Sequence, residues 1–139
     1  MNLNWVAILF SVILTIILIY LIFSQVKEHH AQTDPMLDHL KRVVTPVHPV
    51  MSTLKLYRGD KSYTINKEKV YLCLKDKKGE YYPLNMLVHV LLHEVAHVLN
   101  THDVGHTEKF HEIFDELLEK ATELGAFNPS IPILDNYCS

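Results

Sequence analysis

His93-Glu94-Val95-Ala96-His97 lies inside an apolar stretch, with Val90, Leu91 and Leu92 before it and Val98 and Leu99 after it. Nothing else in the chain constrains its fold as tightly. On a helix, positions i and i+4 stack on one face about one turn apart, so both imidazoles can reach one small ion. Glu94 falls beside the pair, close enough to act on a water held there. A hydrolytic zinc site needs nitrogen ligands, an open coordination position and a carboxylate base, and this spacing offers two ligands and the base. Two metal-free histidines one turn apart are the plainer alternative. The setting disfavours it, because a helix this apolar is buried and a buried His or Glu is costly without a partner.

Residues 5–23 carry no charged side chain. At ~1.5 Å per residue the run spans about 28 Å, close to the thickness of a bilayer's hydrocarbon layer. A core helix would be shorter or show a polar stripe. A cleaved signal peptide would start basic and end at a small-x-small site. Met1-Asn2-Leu3-Asn4 has no basic residue, and Ser24-Gln25-Val26 is a poor cleavage site. The expectation is an uncleaved transmembrane anchor over 1–24 that meets lipid through residues 5–23, with Trp5 and Tyr20 near the two interfaces. Lys27, Lys41 and Arg42 follow the run and no basic side chain precedes it. The positive-inside rule then expects a single-pass protein with a cytosolic domain. Cys73 and Cys138 are the only cysteines, and no disulfide framework is expected, in keeping with that side.

Residues 25–33 are polar and read as a juxtamembrane linker, in which His29-His30 could bind a metal but reads more simply as a solvated pair. Residues 34–139 fit one small domain. The formal net charge of −3 gives no reason to expect a nucleic-acid partner. Asp34-Pro35 is a helix start, with Asp as N-cap and Pro in the first turn. Met36, Leu37, Leu40, Val43 and Val44 follow at helical spacing, and Pro46 and Pro49 end that helix. Residues 53–57, 62–66 and 70–74 read as strands, with a turn at Arg58-Gly59-Asp60. The motif helix covers about 84–100, with Asn85 as a candidate cap. A second helix covers about 107–124, where Phe110, Ile113, Phe114, Leu117, Leu118, Ala121 and Leu124 form a core stripe and Gly125 is a natural end. The fold class is α+β: an N-terminal helix, a short antiparallel or mixed sheet, the motif helix and a C-terminal helix, behind one transmembrane helix.

Two histidines leave a zinc site incomplete. The candidates for a third ligand are His102, His106, His111, Glu108 and Glu112. His106 follows a Gly-containing loop that lets the chain reverse, and Phe110 one turn later would anchor the second helix. His102 follows His97 closely enough to continue the helix on another face, and His111 adjoins Phe110 and should point elsewhere. An acid on the second helix would give a His-His-Glu site instead.

Several segments together resemble the WLM family of zinc peptidases, relatives of the SprT-like group. Val47-His48-Pro49-Val50-Met51 resembles the family's V-x-P-I-M segment, after an opening helix through Leu40-Lys41-Arg42-Val43. Ile65-Asn66 and Val70-Tyr71-Leu72-Cys73-Leu74-Lys75 resemble the strand before the active-site helix. Leu91-Leu92-His93-Glu94-Val95-Ala96-His97 resembles L-L-H-E-L-A-H, and His106-Thr107-Glu108-Lys109-Phe110 resembles H-x-x-x-F. The likeness runs over residues 35–127. It implies a small zincin-like fold, Zn²⁺ held by His93, His97 and His106, and Glu94 as general base for peptide hydrolysis. Residues 98–105 make a longer loop than typical WLM members have, though SprT-like members tolerate such loops. Similar short anchored proteins occur among large DNA viruses.

The resulting expectation is a membrane-anchored zinc metallopeptidase acting on a peptide or protein substrate, which would lie as an added strand along residues 70–75. Tyr81, Tyr82 and His102 are candidate oxyanion stabilisers. Asp103 is either an acceptor for a ligand His or a loop cap. Two other readings differ in class. One is a catalytically inactive, zinc-stabilised interaction module tethered to a membrane. The other is a SprT-like protease acting on DNA-bound proteins, which the anchor and the charge disfavour.

Overall fold

A computed structural model describes residues 2–138. The chain divides into two units, Met1–Thr33 and Asp34–Ser139. The first is one helix, α1 (Leu3–Gln32), with every described residue up to Val26 exposed. It is long and apolar enough to cross a membrane, a test that a signal sequence also passes. The polar segment 25–33, read above as a linker, continues this helix to Gln32.

The second unit is α+β. It contains α2 (Pro35–Val44), a 3-10 turn (Pro49–Ser52), β1 (Lys55–Arg58), β2 (Tyr63–Ile65), β3 (Lys69–Leu72), α3 (Leu84–Leu99) and α4 (Glu108–Glu123). Asp34 caps α2 by accepting from the Met36 amide at 3.0 Å, and Pro35 opens the first turn. Leu37, Leu40 and Val44 form the helix's buried face. Thr107 caps α4, and Gly125, at φ +74°, ends it in the left-handed region that glycine tolerates. Asn85 does not cap α3. Its side chain instead clasps the Asn128 backbone, accepting from N at 2.7 Å and donating to O at 3.1 Å. Pro83 occupies the cap position without a side-chain bond.

The sheet is mixed and ordered β1-β3-β2. β3 pairs parallel to β1 and antiparallel to β2. This corrects the expected substrate edge: β3 is paired on both sides, and the sheet's edge strands are β1 and β2. Ile65-Asn66-Lys67-Glu68 joins β2 to β3 as a tight hairpin. Asn66 and Lys67 both have positive φ (52° and 55°), as a type I′ turn requires.

α3 is the central element. It packs against α2, α4, β2 and β3, and Leu87, Val88, Leu91, Leu92, Val95 and Ala96 are fully buried. At roughly 1.5–3 kcal/mol for each large apolar side chain removed from water, the burial of this helix contributes substantially to the domain's stability. The site motif is therefore written on a helix packed on several sides.

The two cysteines correct a second expectation. Cys73 and Cys138 are joined in a disulfide across a sequence separation of 65, with Cα atoms 6.4 Å apart. The C-terminal tail is coil, as its prolines suggest, but it is bolted to the end of β3.

Candidate metal centre

α3 presents His93 and His97 one turn apart, and the loop 98–105 returns the chain so that His106 meets them. The Nε2 atoms lie 3.3 Å apart for His93–His97, 3.1 Å for His97–His106 and 3.0 Å for His93–His106. Three imidazole nitrogens converging in this way cannot all satisfy one another as hydrogen-bond donors and acceptors. They suit a cation. Bonds of ~2.0–2.1 Å around a tetrahedral zinc put its donor atoms about 3.3–3.4 Å apart. The set is open on one side, where the cleft lies. Among the described residues this is the one cluster of three or more His, Cys, Asp or Glu side chains suited to a metal.

Phe110 forms the floor of the cluster. It is fully buried, and its ring centroid lies 4.9, 4.4 and 4.9 Å from those of His93, His97 and His106. The first residues of α4 thus fix the third histidine and brace the other two. Burial pushes the His93 imidazole down to about 4, helped by His97 and His106. Burial also lowers His97, with His106 adding to it. Both effects favour the neutral form of His93 and His97, whose lone pairs can then bind a metal.

Glu94 is 6% exposed. Burial raises its carboxyl above the ordinary value, while a hydrogen bond from Thr64 and the nearby His106 pull the other way. The Thr64 hydroxyl donates to Glu94 Oε2 at 2.7 Å. Thr64 comes from the inner face of β2, opposite Val70. Sequence reasoning did not single it out; the available signal was a hydroxyl residue at an inward position of a short strand.

A cleft of about 620 Å³ opens over these groups, lined by His93, Glu94, His97 and His106 on one side and Ser62, Tyr63, Thr64, Asn66 and Lys67 on the other. The loop 98–105 closes one end and is internally braced. Asp103 accepts from Asn100 Nδ2 and from Thr107 Oγ1 at 2.8 Å. It is the loop-capping Asp of the two alternatives. Lys67 Nζ donates to the Asn100 carbonyl at 2.7 Å, joining the hairpin turn to the end of α3.

The remaining candidates lie elsewhere. His102, His111, Glu108 and Glu112 are outside the cluster. Tyr81 donates its hydroxyl to Asp34 at 2.8 Å, and the Tyr82 hydroxyl accepts from the Cys138 amide at 2.9 Å. Neither tyrosine lines the cleft, nor does His102. These oxyanion assignments fail because each group is engaged or positioned away from the metal site.

Residues 64–129 match the WLM domain. The match opens at Thr64 on β2 and runs past α4, so it holds the histidine cluster, Glu94 and its hydroxyl partner, whereas α2 and β1 precede it. An uncharacterized protein of Invertebrate iridescent virus 6 is 49% identical over 92 residues, covering 64% of this chain and 51% of its own length. One from Invertebrate iridescent virus 3 is 40% identical over 103 residues, covering 70% and 64%. One from Acanthamoeba polyphaga mimivirus is 37% identical over 68 residues, covering 48% and 34%. The chain thus spans about half to two thirds of the first two relatives. No solved structure matches it at a significant level.

Proposed function

We propose that this protein is a zinc-dependent metallopeptidase held at a membrane by α1. The observation that carries the reading is the convergence of three imidazole nitrogens at 3.0–3.3 Å beside a buried carboxylate in one open cleft. The WLM match supports it. His93, His97 and His106 would hold Zn²⁺, which when bound supplies a Lewis acid that acidifies water and polarises a carbonyl.

The chain's own groups supply the rest. Glu94, fixed through Oε2 by Thr64 and lining the cleft, would take a proton from the attacking water. Its carboxyl, raised by burial, is a better base than a solvated one and can pass the proton to the leaving amine. The free edge of β2 offers backbone groups to an extended peptide substrate, which would run along the cleft as a fourth strand. Nucleic acid is not part of this reading.

For the membrane, residues 5–23 supply the span. The signals for the side disagree. Basic residues after the span favour the cytosol, but Lys41 and Arg42 belong to the folded α2, while a lasting disulfide favours an oxidising compartment. Protease protection of the domain in sealed membranes distinguishes the two.

The test is made on the 139-residue chain in detergent. Zinc per chain is measured beside cleavage of an unstructured protein such as casein, for the parent, Glu94→Gln and His106→Ala. We expect one zinc and cleavage in the parent, zinc without cleavage in Glu94→Gln, and loss of both in His106→Ala. A zinc-loaded parent that cleaves nothing would favour the inactive interaction module. Cleavage only when DNA is added would favour the SprT-like alternative.

A further inference from the structure

The C-terminal tail meets the cleft's edge strand through a compact polar junction. Cys73 is the residue after β3, and its sulfur is bonded to Cys138. The Tyr137 hydroxyl donates to the Cys73 carbonyl at 2.5 Å and lies 2.7 Å from Ser62 Oγ. Ser62 Oγ also accepts from the Cys73 amide at 3.0 Å, so the serine's own proton points to Tyr137. Next to this, the Cys138 amide donates to the Tyr82 hydroxyl at 2.9 Å, and the rings of Tyr82 and Tyr137 meet at 4.8 Å. Burial pushes the Tyr137 phenol up to about 12, so it stays a neutral donor.

Ser62 immediately precedes β2, and Thr64 follows two residues later. Both line the cleft. β2 is short, spanning Tyr63–Ile65, and is paired on one side only. It is held by its hairpin turn, by the stacking of Tyr63 on Tyr71 at 4.8 Å, by the Thr64–Glu94 bond and by the Ser62 junction. Short edge strands open at low free-energy cost, so each tether carries a large share of their order.

We propose that residues 135–138 form a redox-closed strap on the N-terminal end of β2, the strand that borders the cleft, in which Tyr137 is a positioning residue for β2. Breaking Cys73–Cys138 releases Tyr137 from Ser62, loosens β2 and lowers turnover at the metal site. The effect on turnover rests on the peptidase reading; the loosening of β2 does not. Opening needs two electrons. A phosphine supplies them: the S–S bond breaks, phosphorus takes oxygen from water to become the phosphine oxide, and the two hydrogens of that water end on Cys73 and Cys138. In a cell a dithiol would do the same by exchange, leaving as its own disulfide.

The experiment compares the full chain in detergent, oxidised and phosphine-reduced, with Cys138→Ser and Tyr137→Phe. Amide exchange of residues 62–66, zinc content and casein cleavage are read on each sample well below its melting temperature. We expect exchange at β2 to quicken about tenfold on reduction and in Cys138→Ser, with α3 unchanged. Tyr137→Phe, its disulfide intact, should fall between. Zinc should stay bound, and kcat should drop more than KM rises. Equal β2 exchange in oxidised and reduced protein would overturn the strap. Quicker exchange with unaltered kcat would overturn its link to turnover. Quicker exchange in a protein that cleaves nothing in any form would uphold the strap and sink the peptidase reading.

Discussion

Thr64 and Glu94 are joined by a hydrogen bond of 2.7 Å that crosses from the sheet's edge strand to the central helix. It holds the Oε2 oxygen of a carboxylate that lines the cleft. A bond to a charged group is worth ~1.5–3 kcal/mol when its partner is left buried. Thr64→Val, which keeps the shape and removes the donor, should lower kcat about 10–100-fold with zinc content intact. Thr64→Ser should restore most of it. A Val variant as fast as the parent would remove Thr64 from the mechanism.

Phe110 underlies all three imidazoles. Truncating a fully buried Phe to Ala costs ~3–5 kcal/mol, enough to threaten the fold. Phe110→Leu is the informative change, since it refills much of the volume. It should remain folded by circular dichroism yet bind zinc more weakly, because the rings lose their common floor. Unaltered zinc affinity in Phe110→Leu would reduce Phe110 to ordinary core.

Asp103 is exposed and is not part of the histidine cluster, yet it ties Asn100 to Thr107 across the loop that delivers His106. Those two bonds hold its carboxyl below the ordinary value. Asp103→Ala should weaken zinc binding roughly tenfold, the lower end of what supporting residues contribute around metal ligands. Asp103→Asn, which still accepts both bonds, should not. Zinc titration by competition with a chromogenic chelator reads the difference.

Without metal, the domain should lose stability on mild acidification. The His93 imidazole sits at about 4 in the folded state against an ordinary 6.5. Between those values the unfolded chain binds a proton that the folded chain refuses, so stability falls as pH drops from about 6.5 towards 4. His97 and His89 are lowered as well and act in the same direction. Glu94 is raised and opposes them, gaining stability on acidification. Melting curves of chelator-treated protein from pH 7 to pH 5 should therefore shift down. His93→Gln should flatten the shift, and an unchanged slope in that variant would show that His93 does not drive it.

What was legible in the sequence is what backbone periodicity controls. That His93 and His97 share a face follows from the helical repeat, as does the buried stripe of α4 through Phe110, Phe114, Leu117 and Ala121. The Asp34-Pro35 start and the Gly125 end are local stereochemistry, satisfied within a few residues of chain. The uncharged run at residues 5–23 is likewise a property of composition and length alone.

Only tertiary structure decided the rest. Strand order is a competition among long-range pairings, so the most apolar strand, β3, took the centre and left β1 and β2 as the edges. Asn85 found a better partner in Asn128 than in its own helix end, and Cys73 found Cys138 across a separation of 65. His106 is brought to its neighbours by a loop braced through Asp103, and Thr64 reaches Glu94 because β2 packs on α3. Asn128, Cys138 and Glu94 lie 43, 65 and 30 residues from their partners, and even the shorter return of His106 to His97 depends on the loop's own side-chain bonds, so the chain's backbone preferences do not contain the packing that brings each pair together.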